Sequence, residues 1–166
     1  MTRHQILTTI ENEINRSTID TCMRTPFIHF CHSLTDIGFL PEPEADGNGW
    51  QIMYMNECIG HINFNTSGVW IDHCDFKAGN KKDDFLIKEI HAHIRLCEHF
   101  HSNGKQCGCG RQPGYNHTIF SKPYHHVCFA QLEFLNPDTK TLKTIIKTMM
   151  LIKSNKDAER GLVDQP

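Results

Sequence analysis

The residue types best suited to metal chemistry are concentrated between Cys97 and Cys128. This stretch contains four of the chain's eight cysteines and five of its twelve histidines. Cys107 and Cys109 are each followed by a glycine, and glycines beside cysteines let the backbone turn so that several thiolates converge on one ion. Four sulfurs suffice for a closed tetrahedral zinc site. We therefore predict a structural zinc knuckle at 97–128. Its predicted ligands are Cys97, Cys107, Cys109 and Cys128.

The spacing of these cysteines leaves other ligand sets open. Nine residues separate Cys97 from Cys107, whereas only one separates Cys107 from Cys109, so the run departs from the paired CxxC spacing of most zinc sites. A histidine would then replace one of the sulfurs, and a redox-active thiol pair or a metal-free role for the cysteines stays open as well. The alternate ligands are His93, His99 and His101.

A helix is predicted to position part of this ligand set. Asp83 and Asp84 supply a cap and a first-turn acid for a helix that runs to about His101. On that helix His93, Cys97 and His101 would share one face, at i, i+4 and i+8. The glutamate that zinc proteases place after the first histidine is absent, so this row is not a zinc-protease motif.

The remaining pattern predicts an α+β fold. An amphipathic helix is expected over residues 3–16, and a second helix is expected to begin at Thr25-Pro26. Residues 39–49 have the composition of a loop. Alternating apolar residues then predict a three-stranded antiparallel meander. After the third helix and the knuckle, we expect one further strand and a C-terminal helix. The predicted strands cover 50–55, 58–64, 69–76 and 128–134, and the last helix follows Asn136-Pro137-Asp138 and ends near Lys153.

Polar residues on the meander form a second candidate site. His61, Asp72, His73, Cys74 and Asp75 lie on or beside the predicted strands. Neighbours along a strand point to opposite faces, so the Asp-His-Cys-Asp run does not act together as written. His61 is expected to approach His73 or Asp75 across the hairpin. The preferred interpretation is a solvated sheet surface.

Length and composition define the class of protein. A chain of 166 residues with 39% hydrophobic content is expected to form a single domain, over residues 1–153, with a flexible tail at 154–166. The net charge of −2 lacks the basic excess that non-specific duplex binding requires. No apolar run approaches the about 20 residues needed to span a bilayer, and the N-terminus does not resemble a signal peptide. We therefore expect a cytoplasmic protein with reduced thiols.

The C-terminal half also resembles a known group of proteins. The likeness covers roughly residues 90 to 153 and rests on the cysteine-glycine cluster, a proline-glycine step, an Ile-Phe segment, a Val-Cys pair and a closing helix. In this pattern the chain resembles uncharacterised cysteine-containing small proteins of clostridia and related gut bacteria, and the resemblance implies no particular activity. Ser121 stands where the pattern has glycine, and Phe100 stands where a second cysteine of a CxxC pair would be expected. The matching positions are Cys107, Cys109, Pro113-Gly114, Thr118-Ile119-Phe120, Val127-Cys128 and Asn136-Pro137-Asp138.

Three classes of function are compatible with these residues. The preferred one is a cytosolic binding module with a structural zinc knuckle that recognises a protein or small molecule. The second is a zinc-dependent enzyme with an open metal site, in which Glu98 carries protons. The third is an inhibitor or accessory factor that contacts nucleic acid or a nucleic-acid-handling complex through aromatic and basic residues around the knuckle. The predicted contact residues of this third class are Arg111, Tyr115, Lys122, Tyr124 and His125.

Overall fold

The computed structural model describes residues 1–47, 49–72, 76, 83–97 and 114–162. Within these residues the chain has the mixed α+β architecture predicted from the sequence, with four helices and a seven-stranded antiparallel sheet. None of the helices in the described ranges is long and apolar enough to cross a membrane. The helices are α1 (Arg3–Arg16), α2 (Thr21–Asp36), α3 (Asp84–Ala92) and α4 (Thr139–Glu159).

The sheet is antiparallel throughout, with strand order β1-β2-β3-β4-β7-β5, and β6 forms a hairpin with β7. The predicted meander is confirmed as the consecutive strands β2, β3 and β4, because their short links allow only antiparallel pairing. The strands are β1 (Leu40–Pro43), β2 (Trp50–Tyr54), β3 (Glu57–Asn63), β4 (Gly68–Ile71), β5 (Ile94–Leu96), β6 (Tyr115–Ile119) and β7 (Lys122–Leu135).

One face of the sheet carries the hydrophobic core. Trp50, Ile62 and Phe134 point to this face and are almost fully buried, in one cluster with apolar residues of α1, α2 and α4. Burying apolar side chains between these two layers provides the main stabilisation of the fold. The opposite face of β2, β3 and β4 carries Gln51, His61 and other partly exposed residues.

The helices begin where side chains cap them. The Thr2 side chain and Gln5 form a capping box at the start of α1, and Asp20 and Asp138 accept backbone hydrogen bonds at the starts of α2 and α4. The predicted start of α2 at Thr25-Pro26 is therefore too late, because Asp20 begins the helix and places Pro26 inside it. Helix α2 buries four apolar residues on one side. These are Phe27, Phe30, Cys31 and Leu34.

Further boundaries differ from prediction, and the strand predicted over 128–134 already begins at Lys122. The segment predicted as a loop contains β1, because its Leu40 to Pro43 pairs with Met53 to Trp50 of β2. This strand lies at the sheet edge, where prolines are tolerated. At the other end of the chain, α4 continues to Glu159 instead of ending near Lys153.

The prediction that the third helix reaches His101 is wrong, because this helix is much shorter. Helix α3 ends at Ala92 with His93 as its C-cap, and the chain then enters β5. Pairing with β7 explains the change, since His93 and Glu133 are joined by a backbone hydrogen bond of 3.0 Å and Ile94 pairs with Leu132. Cys97 therefore follows a strand, and the helical row of His93 and Cys97 does not form.

Candidate metal site

A β-bulge places Cys58 and His61 on the same face of the sheet. In regular alternation, residues three apart on a strand point to opposite faces. Here Ile52 pairs with Gly60 but the next residue, Met53, pairs with Cys58, so Ile59 is an extra residue in β3. An extra residue shifts the alternation by one position. Cys58 and His61 consequently both lie on the face opposite the helices.

Asp72 is brought to the same place by the end of β4. Its backbone N–H donates to the carbonyl oxygen of Ile59, the bulged residue, at 2.8 Å. This hydrogen bond continues the β3–β4 pairing by one step beyond Gly60 and Ile71. Gly60 allows the close approach, because a Cβ atom there would lie 2.2 Å from the carbonyl oxygen of Trp70. The bulge and the glycine therefore fix Asp72 beside the other two side chains.

The three side chains present their donor atoms to one another. The Nε2 atom of His61 lies 3.2 Å from Oδ2 of Asp72 and 3.8 Å from Sγ of Cys58, and Sγ lies 3.9 Å from the same Oδ2. Among the described residues, this is the one group of three or more His, Cys, Asp or Glu side chains whose donor atoms converge in this way. We refer to Cys58, His61 and Asp72 as the donor triangle.

The dimensions of the donor triangle match one face of a zinc tetrahedron. With Zn–S at about 2.3 Å and Zn–N and Zn–O at about 2.0–2.1 Å, neighbouring donors lie about 3.3–3.6 Å apart. The three distances in the protein are within about 0.4 Å of those values. A mixed sulfur, nitrogen and oxygen set suits zinc and excludes the hard cations Ca²⁺ and Mg²⁺, which take oxygen ligands.

A fourth side chain orients the histidine. Glu44, in the turn after β1, lies 2.6 Å from Nδ1 of His61 through its Oε1 atom. The turn is closed by a hydrogen bond of 2.9 Å from the Glu44 N–H to the Gly49 carbonyl. Metal-binding histidines characteristically donate a hydrogen bond from the N–H of their second ring nitrogen to such a carboxylate, which fixes the ring and its tautomer. Glu44 thus leaves Nε2 directed at Cys58 and Asp72.

Without metal, the same geometry holds a proton on His61. The hydrogen bond with Asp72, followed by that with Cys58, raises the pKa of His61 to about 11, so the ring is an imidazolium at neutral pH. Asp72 is buried and His61 is partly exposed. Metal binding at Nε2 therefore has to displace a proton.

A cysteine nucleophile activated by His61 is the main chemical alternative for these residues. That arrangement requires the ring nitrogen to take the thiol proton. However, Nε2 is closer to the Asp72 carboxylate, at 3.2 Å, than to the Cys58 sulfur, at 3.8 Å. The proton on Nε2 is thus directed mainly to the carboxylate, and the geometry favours metal coordination over thiol activation.

The predicted knuckle lies mostly outside the described residues. This applies to the predicted ligands Cys107 and Cys109, and to the alternates His99 and His101. Cys97 is buried just after β5, and its N–H donates to the His126 carbonyl of β7 at 2.7 Å. Cys128 lies on β7, so the first and last predicted ligands are on adjacent segments of the sheet. The knuckle itself stays a prediction. The same holds for Glu98, which also lies outside the described residues.

Most of the predicted nucleic-acid contacts are found on the β6–β7 hairpin. Tyr124 stacks on His91, and its hydroxyl lies 2.8 Å from Nδ1 of that ring. The hydroxyl of Tyr115 donates to Gln131 at 3.4 Å, and His125 bonds Asn116 at 3.0 Å. Both tyrosines therefore have partners within the protein. Lys122 lies over the Tyr124 ring, at 5.1 Å from its centroid, and Arg111 is outside the described residues.

Sequence reasoning identified two members of the donor triangle and missed the third. His61 and Asp72 were noted as polar residues of the meander, but the expected approach of His61 to His73 or Asp75 involves residues outside the described ranges. Regular alternation over the predicted strand 58–64 would place Cys58 on the face of Ile62, and the bulge makes this placement wrong. The only available signal was Gly60 within a strand pattern, since such a glycine indicates a bulge or close backbone approach.

No protein-family model, curated protein or solved structure matches this chain. The resemblance of the C-terminal half to cysteine-containing proteins of clostridia therefore stays a prediction.

Proposed function

We propose that this protein is a zinc-dependent enzyme with an open metal site, in which Cys58, His61 and Asp72 hold the ion. The observation that supports this proposal is the donor triangle, whose dimensions are those of three ligands around one zinc ion. Closed structural sites use four protein ligands, whereas catalytic sites use three and keep one position for water or substrate. Among the described residues, the site has three.

Each residue would have a separate task. Cys58 and Asp72 would supply two negative charges to the cation, and His61 would bind through Nε2 after losing its proton. Glu44 would hold the ring through Nδ1. Zinc bound in such a site would lower the pKa of a coordinated water and polarise a substrate oxygen. A cytoplasmic location fits the proposal, because a reducing compartment keeps Cys58 as a free thiol.

The first test is the metal content of protein purified without chelator, combined with the melting temperature before and after chelation. We expect stoichiometric zinc in the natural protein and none in His61→Ala. The core lies on the other face of the sheet, so chelation is expected to leave the protein folded with a modest shift. Zinc retained by His61→Ala would refute the assignment, and complete unfolding on chelation would indicate a structural metal instead.

A second candidate is the binding module with a structural knuckle. It is favoured by one observation, the backbone hydrogen bond that holds buried Cys97 against His126, two residues before Cys128. If Cys107 and Cys109 join these two cysteines, the metal would close the segment between β5 and β7. In that case Cys109→Ser would abolish folding at the segment as well as metal binding, whereas His61→Ala would affect neither.

A further inference from the structure

A groove between α2 and α4 forms a second feature with the properties of a binding site. It has a volume of about 350 Å³, at the small end of the about 300–1,000 Å³ typical of ligand pockets. Its base is apolar, and Phe30 and Leu142 are almost fully buried there. The groove lies on the helical side of the sheet, opposite the donor triangle. The apolar lining residues are Pro26, Phe30, Leu142 and Ile146.

The rim of the groove is polar and carries a cation. Thr25, His29 and Ser33 line it from α2, and Thr139 and Lys143 line it from α4. Among the described residues that line this groove, none is acidic. An apolar base with a few polar groups at one edge is the usual composition of a small-molecule site.

Lys143 differs from the lysines on either side of it in α4. Lys147 forms an ion pair with Asp83 at 3.3 Å, and Lys140 lies over the Phe85 ring at 4.8 Å from its centroid. In the part of the chain that the structure describes, Lys143 has no carboxylate or aromatic partner. The ammonium group at the groove rim is therefore available to an anion from outside the protein.

We propose that this groove binds a small amphiphile with an apolar chain and a terminal carboxylate. The chain would cover the base formed by Phe30, Leu142 and Ile146, which removes apolar surface from water. The carboxylate would pair with Lys143 and accept hydrogen bonds from the rim hydroxyls and His29. The volume limits the chain to medium length. The charge at the rim selects an acid over the matching alcohol.

The proposal can be tested by NMR titration of the full-length protein with octanoate, using 1-octanol as the uncharged probe of equal chain length. We expect saturable shifts confined to amides of α2 and α4, with octanol binding about fivefold more weakly because it lacks the ion pair. Lys143→Met should weaken octanoate by about the same factor and leave octanol unchanged. Lys140→Met removes the same charge from the same helix outside the groove and should bind octanoate normally.

A second variant tests binding in the groove without changing the charge of Lys143. Ser33→Trp places an indole in the groove and should abolish saturable binding of both probes while the protein stays folded by circular dichroism. The idea fails if octanoate gives no saturable shifts, if Lys143→Met binds it normally, or if light scattering shows a dimer that covers the groove. His61→Ala should bind octanoate normally, so this result and the zinc result are separable.

Discussion

The donor triangle and the segment 97–128 both contain cysteine and histidine, but these residues are spaced differently along the chain. In 97–128 the cysteines and histidines are close together in the sequence. In the donor triangle the three residues come from two strands, and a bulge together with a β3–β4 hydrogen bond makes them converge. High local density of ligand residues is therefore a different property from convergence of their donor atoms. Only the second property determines where a metal binds.

The sharpest way to separate the two regions is to remove one thiol from each. Cys58→Ser should weaken zinc binding by roughly 100-fold or more, because loss of a ligand exceeds the 10- to 100-fold cost of losing an orienting partner. Cys109→Ser should retain zinc if the donor triangle is the site. Competition with a chromophoric chelator measures both affinities, and Cys22→Ser, at an exposed thiol, is the control. If Cys109→Ser weakens zinc binding more than Cys58→Ser does, the predicted knuckle binds the metal instead.

The next prediction concerns the close approach of β3 and β4 at Gly60, which supports the donor triangle. Gly60→Ala would place a Cβ atom 2.2 Å from the Trp70 carbonyl oxygen, so β3 and β4 must move apart. We expect a loss of about 3 kcal/mol in the free energy of unfolding, at the upper end for overpacking, together with weaker zinc binding. Urea denaturation with and without zinc provides the measurement. A variant as stable as the natural protein would show that the close approach of the strands is dispensable.

The pH dependence of zinc affinity tests the proton on His61. Because the pKa of this group is raised to about 11, zinc would have to displace its proton throughout the neutral range, and affinity should rise with pH by about tenfold per unit for each proton released. Calorimetry in two buffers of different ionisation enthalpy counts the protons directly. Binding that releases no proton, or that weakens as pH rises from 6.5 to 8.5, would contradict coordination through this ring.

The smallest expected effect concerns the orienting carboxylate. Glu44→Gln keeps the size of the side chain but removes its charge, and should reduce zinc affinity by about tenfold with little change in folding. Glu42→Gln makes the same change on β1, at an exposed position that pairs with Gln51. If both variants bind zinc equally well, Glu44 does not act through His61.

The parts of the fold that were predictable from sequence are those governed by local interactions. Helix α1 was predicted with its bounds because Ile6, Ile10 and Ile14 repeat at helical spacing, and residues next to it in sequence cap it. The α4 start was predicted from Asn136-Pro137-Asp138 for the same reason. In both cases the determining contacts are within a few residues.

The errors arose where distant strands decide the outcome. The helical pattern after Asp84 continues past Ala92, but pairing of Ile94 with Leu132 on β7 ends the helix there. Cys58 was likewise placed by alternation, whereas its face is set by how β3 pairs with β2. Residues 52 and 60 pair across a hairpin, so the pattern of β3 alone gives only the indirect signal of Gly60.

The bulge at Ile59 has a consequence for recognising distant relatives of this protein. A regular strand with the same C-x-x-H spacing would turn Cys58 toward the core without changing any ligand, whereas deleting Ile59 would remove the bulge and leave Cys58 two residues from the histidine on the same face. Conservation of the proposed site thus depends on the match between the Cys–His spacing and the bulge as much as on the identity of the ligands. A useful search pattern is C-x-x-H followed, after ten residues that include a hairpin turn, by aspartate. Homologues that lack the bulge are expected to keep the site only with the spacing C-x-H, because residues two apart in a regular strand share a face.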